Sequence, residues 1–137
     1  MKEKEIIPAV LAVIRRDGKF LLTKRHIKSR FEAGKWGFVG EAIKYSEHPQ
    51  DALKRGIKEE TNLDLKSFEF LDVGSFLFES AEKDRHAIIL IYLCDADGEV
   101  VLNHEAEDFG WFTIPEMGGM ELIKGNEKVL GILESKL

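Results

Sequence analysis

Residues 55–62 read Arg-Gly-Ile-Lys-Glu-Glu-Thr-Asn, and this stretch decides both the expected fold and the expected chemistry. In a helix, positions 56, 59 and 60 share one face, because side chains three and four residues apart lie above one another. Glu59 and Glu60 would therefore place two carboxylates side by side. Proteins bind Mg²⁺ with one or two carboxylates together with phosphate oxygens of a substrate. The stretch thus predicts a helix beside a metal site, although Gly56 brings no side chain to that face.

The rest of the chain predicts strands separated by two helices. The helix that carries the acidic pair is expected at Pro49–Thr61, since proline is favoured in a first turn. Asn126 is expected to cap a second helix that runs to residue 137. Strands are predicted at 6–16, 19–25, 68–79, 85–95 and 109–114, with a polar loop at 26–35 and short strands at 34–43. The wholly apolar run 87–94 indicates a central strand, so the prediction is an α/β fold in which a mixed sheet has a helix on each face.

Length and composition are typical of a small globular enzyme. The chain has 137 residues, 44% hydrophobic and 33% charged, which indicates a single domain at 1–137. A net charge of −5 argues against a nucleic acid partner. The longest apolar run is too short to span a bilayer, so no membrane partner is expected. The single cysteine, Cys94, and a charged N-terminus without a signal peptide predict a cytoplasmic protein.

The spacing across residues 41–63 resembles the Nudix box of the MutT-like pyrophosphohydrolases. That box reads Gly, five residues, Glu, seven residues, Arg-Glu, an aliphatic residue, any residue, Glu-Glu, any residue, Gly and an aliphatic residue. The chain matches it at Glu47, Arg55, Ile57, Glu59, Glu60 and Leu63. Residues 35–40, Lys-Trp-Gly-Phe-Val-Gly, are similar to the family's lead-in, and residues 105–111, Glu-Ala-Glu-Asp-Phe-Gly-Trp, to its acidic loop. The resemblance covers about residues 6–115 and implies a Nudix-type α/β/α sandwich with a mixed central β-sheet.

Three positions depart from the box. Asn62 stands for glycine where a helix ends, and asparagine is the usual substitute in a left-handed conformation. Glu41 also stands for glycine, next to the retained Gly40. Gly56 is the serious departure, because the family's glutamate at this position is the presumed general base or a further metal ligand. Glycine in a helix interior also costs about 1 kcal/mol relative to alanine.

The resemblance implies roles for individual residues. Glu59, Glu60 and the main-chain carbonyl of Gly40 are the predicted ligands of Mg²⁺, with Mn²⁺ as the alternative ion. Glu47 and Arg55 are expected to pair and brace the site. Glu105, and after it Glu107, are the predicted replacements for the missing base. His86 and His104 are alternatives, since histidine is the side chain that ordinarily exchanges a proton near neutral pH.

The predicted function is Mg²⁺-dependent hydrolysis of a nucleoside diphosphate linked to another moiety, or of a nucleoside triphosphate. Arg25, Phe31 and Trp36 are the candidates for substrate binding, among basic residues and aromatics near the box. The alternative is a Nudix-fold module that binds a nucleotide without hydrolysing it. Gly56 favours this alternative, whereas the retained Glu59 and Glu60 favour the enzyme. The resemblance also allows a homodimer.

Overall fold

The computed structural model describes residues 2–29 and 32–137. Its elements follow one another along the chain as strands interrupted by helices. The strands are β1 (Glu3–Arg16), β2 (Lys19–Arg25), β3 (Trp36–Gly37), β4 (Val39–Ala42), β5 (Asp64–Glu79), β6 (Lys83–Asp97) and β7 (Ala106–Phe112). The helices are α1 (Pro49–Thr61), α2 (Ile114–Gly118) and α3 (Asn126–Lys136).

The strands form one mixed sheet, and β6 lies in its interior between β1 and β5. β6 pairs in parallel with β1 along one edge and antiparallel with β5 along the other. β4 and β2 both pair antiparallel with β1, and β2 in turn pairs with β3 and β7. The prediction that the apolar run 87–94 forms a central strand is therefore confirmed.

Each face of the sheet carries its own hydrophobic core. Successive residues of a strand point to opposite faces, and β1 follows this rule. Val10 packs in one core with Leu53 of α1, whereas Leu11 packs in the other with Met117 of α2 and Leu133 of α3. A helix on each face confirms the predicted α/β/α sandwich.

Local chemistry fixes both ends of α1 at the predicted residues. Pro49 opens the helix, and the Nδ1 atom of the N-cap residue His48 accepts a hydrogen bond from the Gln50 N–H at 3.1 Å. At the other end Asn62 adopts a left-handed conformation with φ 65°, and its N–H donates to the Lys58 carbonyl at 3.0 Å. The prediction for Asn62 is confirmed, and the acidic pair is held on the last turn of a rigid helix.

The C-terminal part of the chain differs from the prediction. β7 begins at Ala106 instead of residue 109, because its first residues pair with Lys24 and Arg25 of β2. It ends at Phe112, since Thr113 caps the unpredicted helix α2 in a capping box with Glu116. Asn126 is not the cap of α3: Gly125 holds that position. Asn126 is instead buried, and its Oδ1 accepts a hydrogen bond from the Phe38 N–H at 2.9 Å.

Within residues 2–29 and 32–137, no helix combines the length and the apolar character that crossing a membrane requires.

Candidate active site

Arg55 joins helix α1 to the loop that precedes it. Its Nε and Nη2 atoms donate to the two carboxylate oxygens of Glu47 at 2.8 and 3.0 Å, a bidentate pair. Nη2 also donates to the Ala42 carbonyl at 2.9 Å. The Nη1 atom lies 3.4 Å from Glu59 Oε2 and 3.6 Å from Glu41 Oε1. The structure thus brings the predicted pair Glu47 and Arg55 together, beside the acidic residues Glu41 and Glu59.

This pair stays ionised across the neutral range. The hydrogen bond from Arg55, followed by one from the Lys44 backbone N–H, lowers the pKa of Glu47 to about 2. The same carboxylate raises the pKa of Arg55 above its ordinary value. Because Nε and Nη2 bind Glu47, the Nη1 atom is the part of the guanidinium that contacts Glu41 and Glu59.

Glu60 lies deeper than its neighbour Glu59. The side chain of Glu59 is 52% exposed, whereas Glu60 Oε2 is buried and accepts no hydrogen bond from any described residue. Burial, followed by the charges of Glu105 and Glu41, raises the pKa of Glu60 to about 8, against a lowering effect of Arg25. A buried carboxylate without donors is costly unless a cation compensates it. This oxygen is therefore the strongest sign of a cation site on the surface of α1.

A pocket of about 190 Å³ opens beside Glu60. Gly40 and Glu105 line it together with Arg25. The structure therefore brings together the predicted ligands Gly40 and Glu60, the first candidate for the base and one candidate for substrate binding. Glu59 does not line this pocket and contacts Arg55 at its rim.

The acidic residues after β6 separate into two groups. Glu105 precedes β7 and lies close enough to raise the pKa values of Glu60 and Glu41. Glu107 lies within β7, where its Oε1 is 3.9 Å from Lys24 Nζ, and it does not line the pocket. The expectation that Glu107 and Asp108 belong to a loop is wrong, because both lie within β7: Asp108 pairs with Lys24 of β2, and Glu107 lies at the shift in register between Lys24 and Arg25. Of the two candidates for the base, the geometry favours Glu105.

The two histidine alternatives lie outside this pocket, and one of them lines a pocket next to it. His86 Nε2 is hydrogen-bonded to Ser75 Oγ at 2.7 Å, and His86 lines other grooves of the sheet. His104 lines a neighbouring pocket of about 560 Å³ with Arg25 and Glu105. His104 could therefore reach a ligand that spans both pockets, whereas His86 lies outside them.

The candidates for substrate binding divide in the same way. Arg25 lines both pockets, and its guanidinium donates to Ser29 Oγ at 2.9 Å. Trp36 is not brought to either pocket: its ring packs edge-on against Phe112, with centroids 5.4 Å apart, as part of the core under α3. Phe31 lies outside the described residues.

Glu41 was not among the predicted site residues, yet its side chain packs against Gly56 of α1. An ideal Cβ built on Gly56 would lie 2.8 Å from Glu41 Cβ and 3.3 Å from Glu41 Cγ. The stem of Glu41 thus occupies the space that a side chain at position 56 would need. The signal was present in the sequence, since the box expects glycine at position 41 and glutamate at position 56, and the chain has the reverse.

The donor set suits a divalent cation that the substrate helps to bind. In residues 2–29 and 32–137, no three His, Cys, Asp or Glu side chains form a ready metal cage. Burial raises the pKa of Glu41, Arg55 opposes this, and the charges of Glu105 and Glu59 add to it, so carboxylates from α1, β4 and the loop before β7 act on one another around Glu60. Mg²⁺ keeps several waters and takes phosphate oxygens among its ligands. The residues present therefore fit such an ion.

Known proteins resemble the chain over nearly its whole length. A family model described as the NUDIX domain matches residues 5–131. The nucleoside triphosphatase NudI of Escherichia fergusonii is 28% identical over 131 residues, which cover 90% of this chain and 93% of that protein. The crystal structure of a MutT NUDIX hydrolase from Burkholderia pseudomallei has a TM-score of 0.81 at 28% identity, covering 93% of this chain and 98% of that one. The crystal structure of a MutT protein from Methanosarcina mazei Go1 has a TM-score of 0.76 at 29% identity, and 100% of both chains is covered.

The chain belongs to the Nudix hydrolase family. Members of this family act on nucleoside triphosphates or diphosphate derivatives and generally use divalent metals. The resemblance drawn from residues 41–63 is therefore confirmed, while the roles of individual residues remain predictions.

Proposed function

We propose that the chain is a Mg²⁺- or Mn²⁺-dependent hydrolase of the diphosphate linkage in a nucleoside diphosphate derivative or a nucleoside triphosphate. The observation that carries the proposal is the buried, undonated Oε2 atom of Glu60 among neighbouring carboxylates. Such an arrangement is unfavourable until a cation enters, and a diphosphate brings its own need for cations. A cytoplasmic location accords with the single buried thiol of Cys94.

Glu60, Glu59 and the carbonyl of Gly40 would hold the cation at the mouth of the pocket. Bound there, a divalent cation supplies neutralisation of the phosphate oxygens and activation of a water. Arg55 keeps the loop before α1 fixed through its bidentate bond to Glu47, which holds the ligands in place.

The pocket offers a place for the organic part of the substrate. Its walls are largely apolar, with Phe76, Ile89 and Ile123 among them, and Lys124 and Arg25 add positive charge. Apolar and aromatic walls suit a nucleobase, whereas the two cations suit phosphate oxygens. Glu105 lies on the same wall as Arg25 and would take the proton from the attacking water.

A substrate panel tests this proposal. Nucleoside triphosphates, ADP-ribose, nucleotide sugars and dinucleotides are incubated with Mg²⁺ or Mn²⁺, and products are separated by chromatography. We expect turnover of one class, a loss of about 100-fold or more in Glu59→Gln, and no change in Glu134→Gln, an exposed glutamate on α3. The best substrate would name its class.

Two outcomes would contradict the proposal. Turnover that persists in excess EDTA would show that the reaction needs no divalent cation. Equal rates in Glu59→Gln and the natural chain would show that Glu59 is not a ligand of the cation. Nucleotide binding by calorimetry without any turnover would instead support the alternative, a Nudix module that binds its ligand without hydrolysis.

A further inference from the structure

Glu41 and Gly56 form a reciprocal pair across the β4–α1 junction. We propose that Glu41 supplies to the divalent cation, from strand β4, the carboxylate that helix α1 lacks at position 56. This inference rests on the metal-dependent function proposed above and adds a residue to its ligand set.

The steric relation between the two positions makes them mutually exclusive. A Cβ at position 56 would lie 2.8 Å from Glu41 Cβ, closer than real Cβ atoms approach other heavy atoms. Gly56 is buried in α1, where glycine weakens the helix by about 1 kcal/mol relative to alanine. The missing side chain at position 56 is what lets the Glu41 stem lie against the helix.

The carboxylate of Glu41 points toward the same cluster as the acidic pair of α1. Its Oε1 lies 3.6 Å from Arg55 Nη1, and the side chain is 27% exposed. The same Nη1 atom lies 3.4 Å from Glu59 Oε2, so one guanidinium nitrogen joins the carboxylate of Glu41 to that of Glu59. Gly40, the residue before it on β4, lines the Glu60 pocket. One strand therefore brings a main-chain carbonyl and a carboxylate to the site.

Arg55 alone does not account for Glu41. The shorter contacts of Arg55, at 2.8–3.0 Å, go to Glu47 and to the Ala42 carbonyl, and they satisfy Nε and Nη2. Among residues 2–29 and 32–137, the ion pair of Glu41 is the longer contact through Nη1, which it shares with Glu59. Arg55 Nη1 thus lies beside one oxygen of each carboxylate, and the other oxygen of each lies outside this contact, as binding of a cation would require.

Binding of Mn²⁺, followed by electron paramagnetic resonance of the free ion, tests the assignment without turnover. We expect Glu41→Gln to raise the Kd about tenfold, Glu60→Gln to raise it at least as much, and Glu134→Gln to leave it unchanged. A Kd unchanged in Glu41→Gln but raised in Glu60→Gln would overturn the role of Glu41 and leave the proposed function standing. A natural chain that binds no Mn²⁺ would overturn both.

An exchange of the two residues provides a second test. We expect Gly56→Glu alone to lower the melting temperature, because its Cβ meets Glu41. The double variant Glu41→Gly with Gly56→Glu should recover most of that loss and keep the Kd for Mn²⁺ within about threefold, which makes the two changes strongly non-additive. Additive effects on melting temperature and Kd would show that the positions do not share one function, and would overturn the proposal.

Discussion

Replacement of Glu60 by glutamine should stabilise the metal-free protein. In the folded chain the pKa of Glu60 is about 8, raised from 4.5 mainly by burial and then by Glu105 and Glu41. A carboxyl whose pKa is raised on folding destabilises the fold as pH rises from its unfolded pKa to its folded pKa. Each pH unit in that window costs about 1.36 kcal/mol, so the cost is about 3 kcal/mol at pH 7 and about 1 kcal/mol at pH 5. Glutamine keeps the shape and removes this cost.

Thermal unfolding in EDTA, followed by circular dichroism at pH 5 and pH 7, measures the difference. For a chain of this length, 1 kcal/mol corresponds to about 3 °C, so Glu60→Gln should melt about 10 °C above the natural chain at pH 7 and about 3 °C above it at pH 5. Mg²⁺ at 100 times its Kd should stabilise the natural chain by about 2.7 kcal/mol and nearly close the gap. Glu134→Gln is the matched control and should follow the natural chain. A Glu60→Gln variant that melts below the natural chain in EDTA at pH 7 would refute the reasoning.

Further predictions concern groups outside the ligand set. Asn126→Ala should lower the free energy of unfolding in urea by about 1–3 kcal/mol, because it leaves the buried Phe38 N–H without its acceptor. Asn126→Asp keeps an acceptor oxygen and should lower the free energy of unfolding by less. Equal losses in the two variants would contradict this. Glu47 has a pKa of about 2 in the folded chain and 4.5 as its ordinary value, so its contribution to the free energy of unfolding is present above about pH 4.5 and is lost as pH falls toward 2. In Glu47→Gln, the free energy of unfolding should therefore fall less steeply between pH 4.5 and pH 2. An unchanged slope would argue against the pair with Arg55. Cys94 is fully buried, and burial raises its thiol pKa to about 12, so Ellman's reagent at pH 8 should react with it only after unfolding; rapid reaction in the native protein would contradict the buried position.

The elements that the sequence predicted well are those that local chemistry determines. Pro49 and Asn62 set the ends of α1 through a first-turn proline and a left-handed cap, and the apolar run 87–94 required burial on both faces of the sheet. β7 was placed too late because Glu107 and Asp108, near its start, are charged. The first residues of the strand join the sheet only through pairing with β2, a partner more than eighty residues earlier in the chain.

In the candidate site, the sequence likewise placed residues that are close in the chain and missed contacts that depend on the packing of distant elements. Glu59, Glu60 and Arg55 lie on consecutive turns of one helix, so helical spacing placed them together, and the resemblance to the Nudix box predicted the pair that Arg55 forms with Glu47 in the loop before the helix. The approach of Glu41 to Gly56 depends on how β4 packs against α1, and the approach of Glu105 to Glu60 depends on where β7 begins. Trp36 resembled a substrate-facing aromatic in the sequence, but the packing of β3 under α3 turns its ring to Phe112.

The measurement that tests the central claim most directly is the rate of diphosphate hydrolysis as a function of Mg²⁺ concentration, with the best substrate of the panel. Natural chain, Glu60→Gln and Glu134→Gln are compared in parallel. We expect a rate that saturates with Mg²⁺, is abolished by EDTA, falls by about 100-fold or more in Glu60→Gln and is unchanged in Glu134→Gln. A rate independent of Mg²⁺, or one that Glu60→Gln leaves intact, would contradict a metal-dependent site built on Glu60.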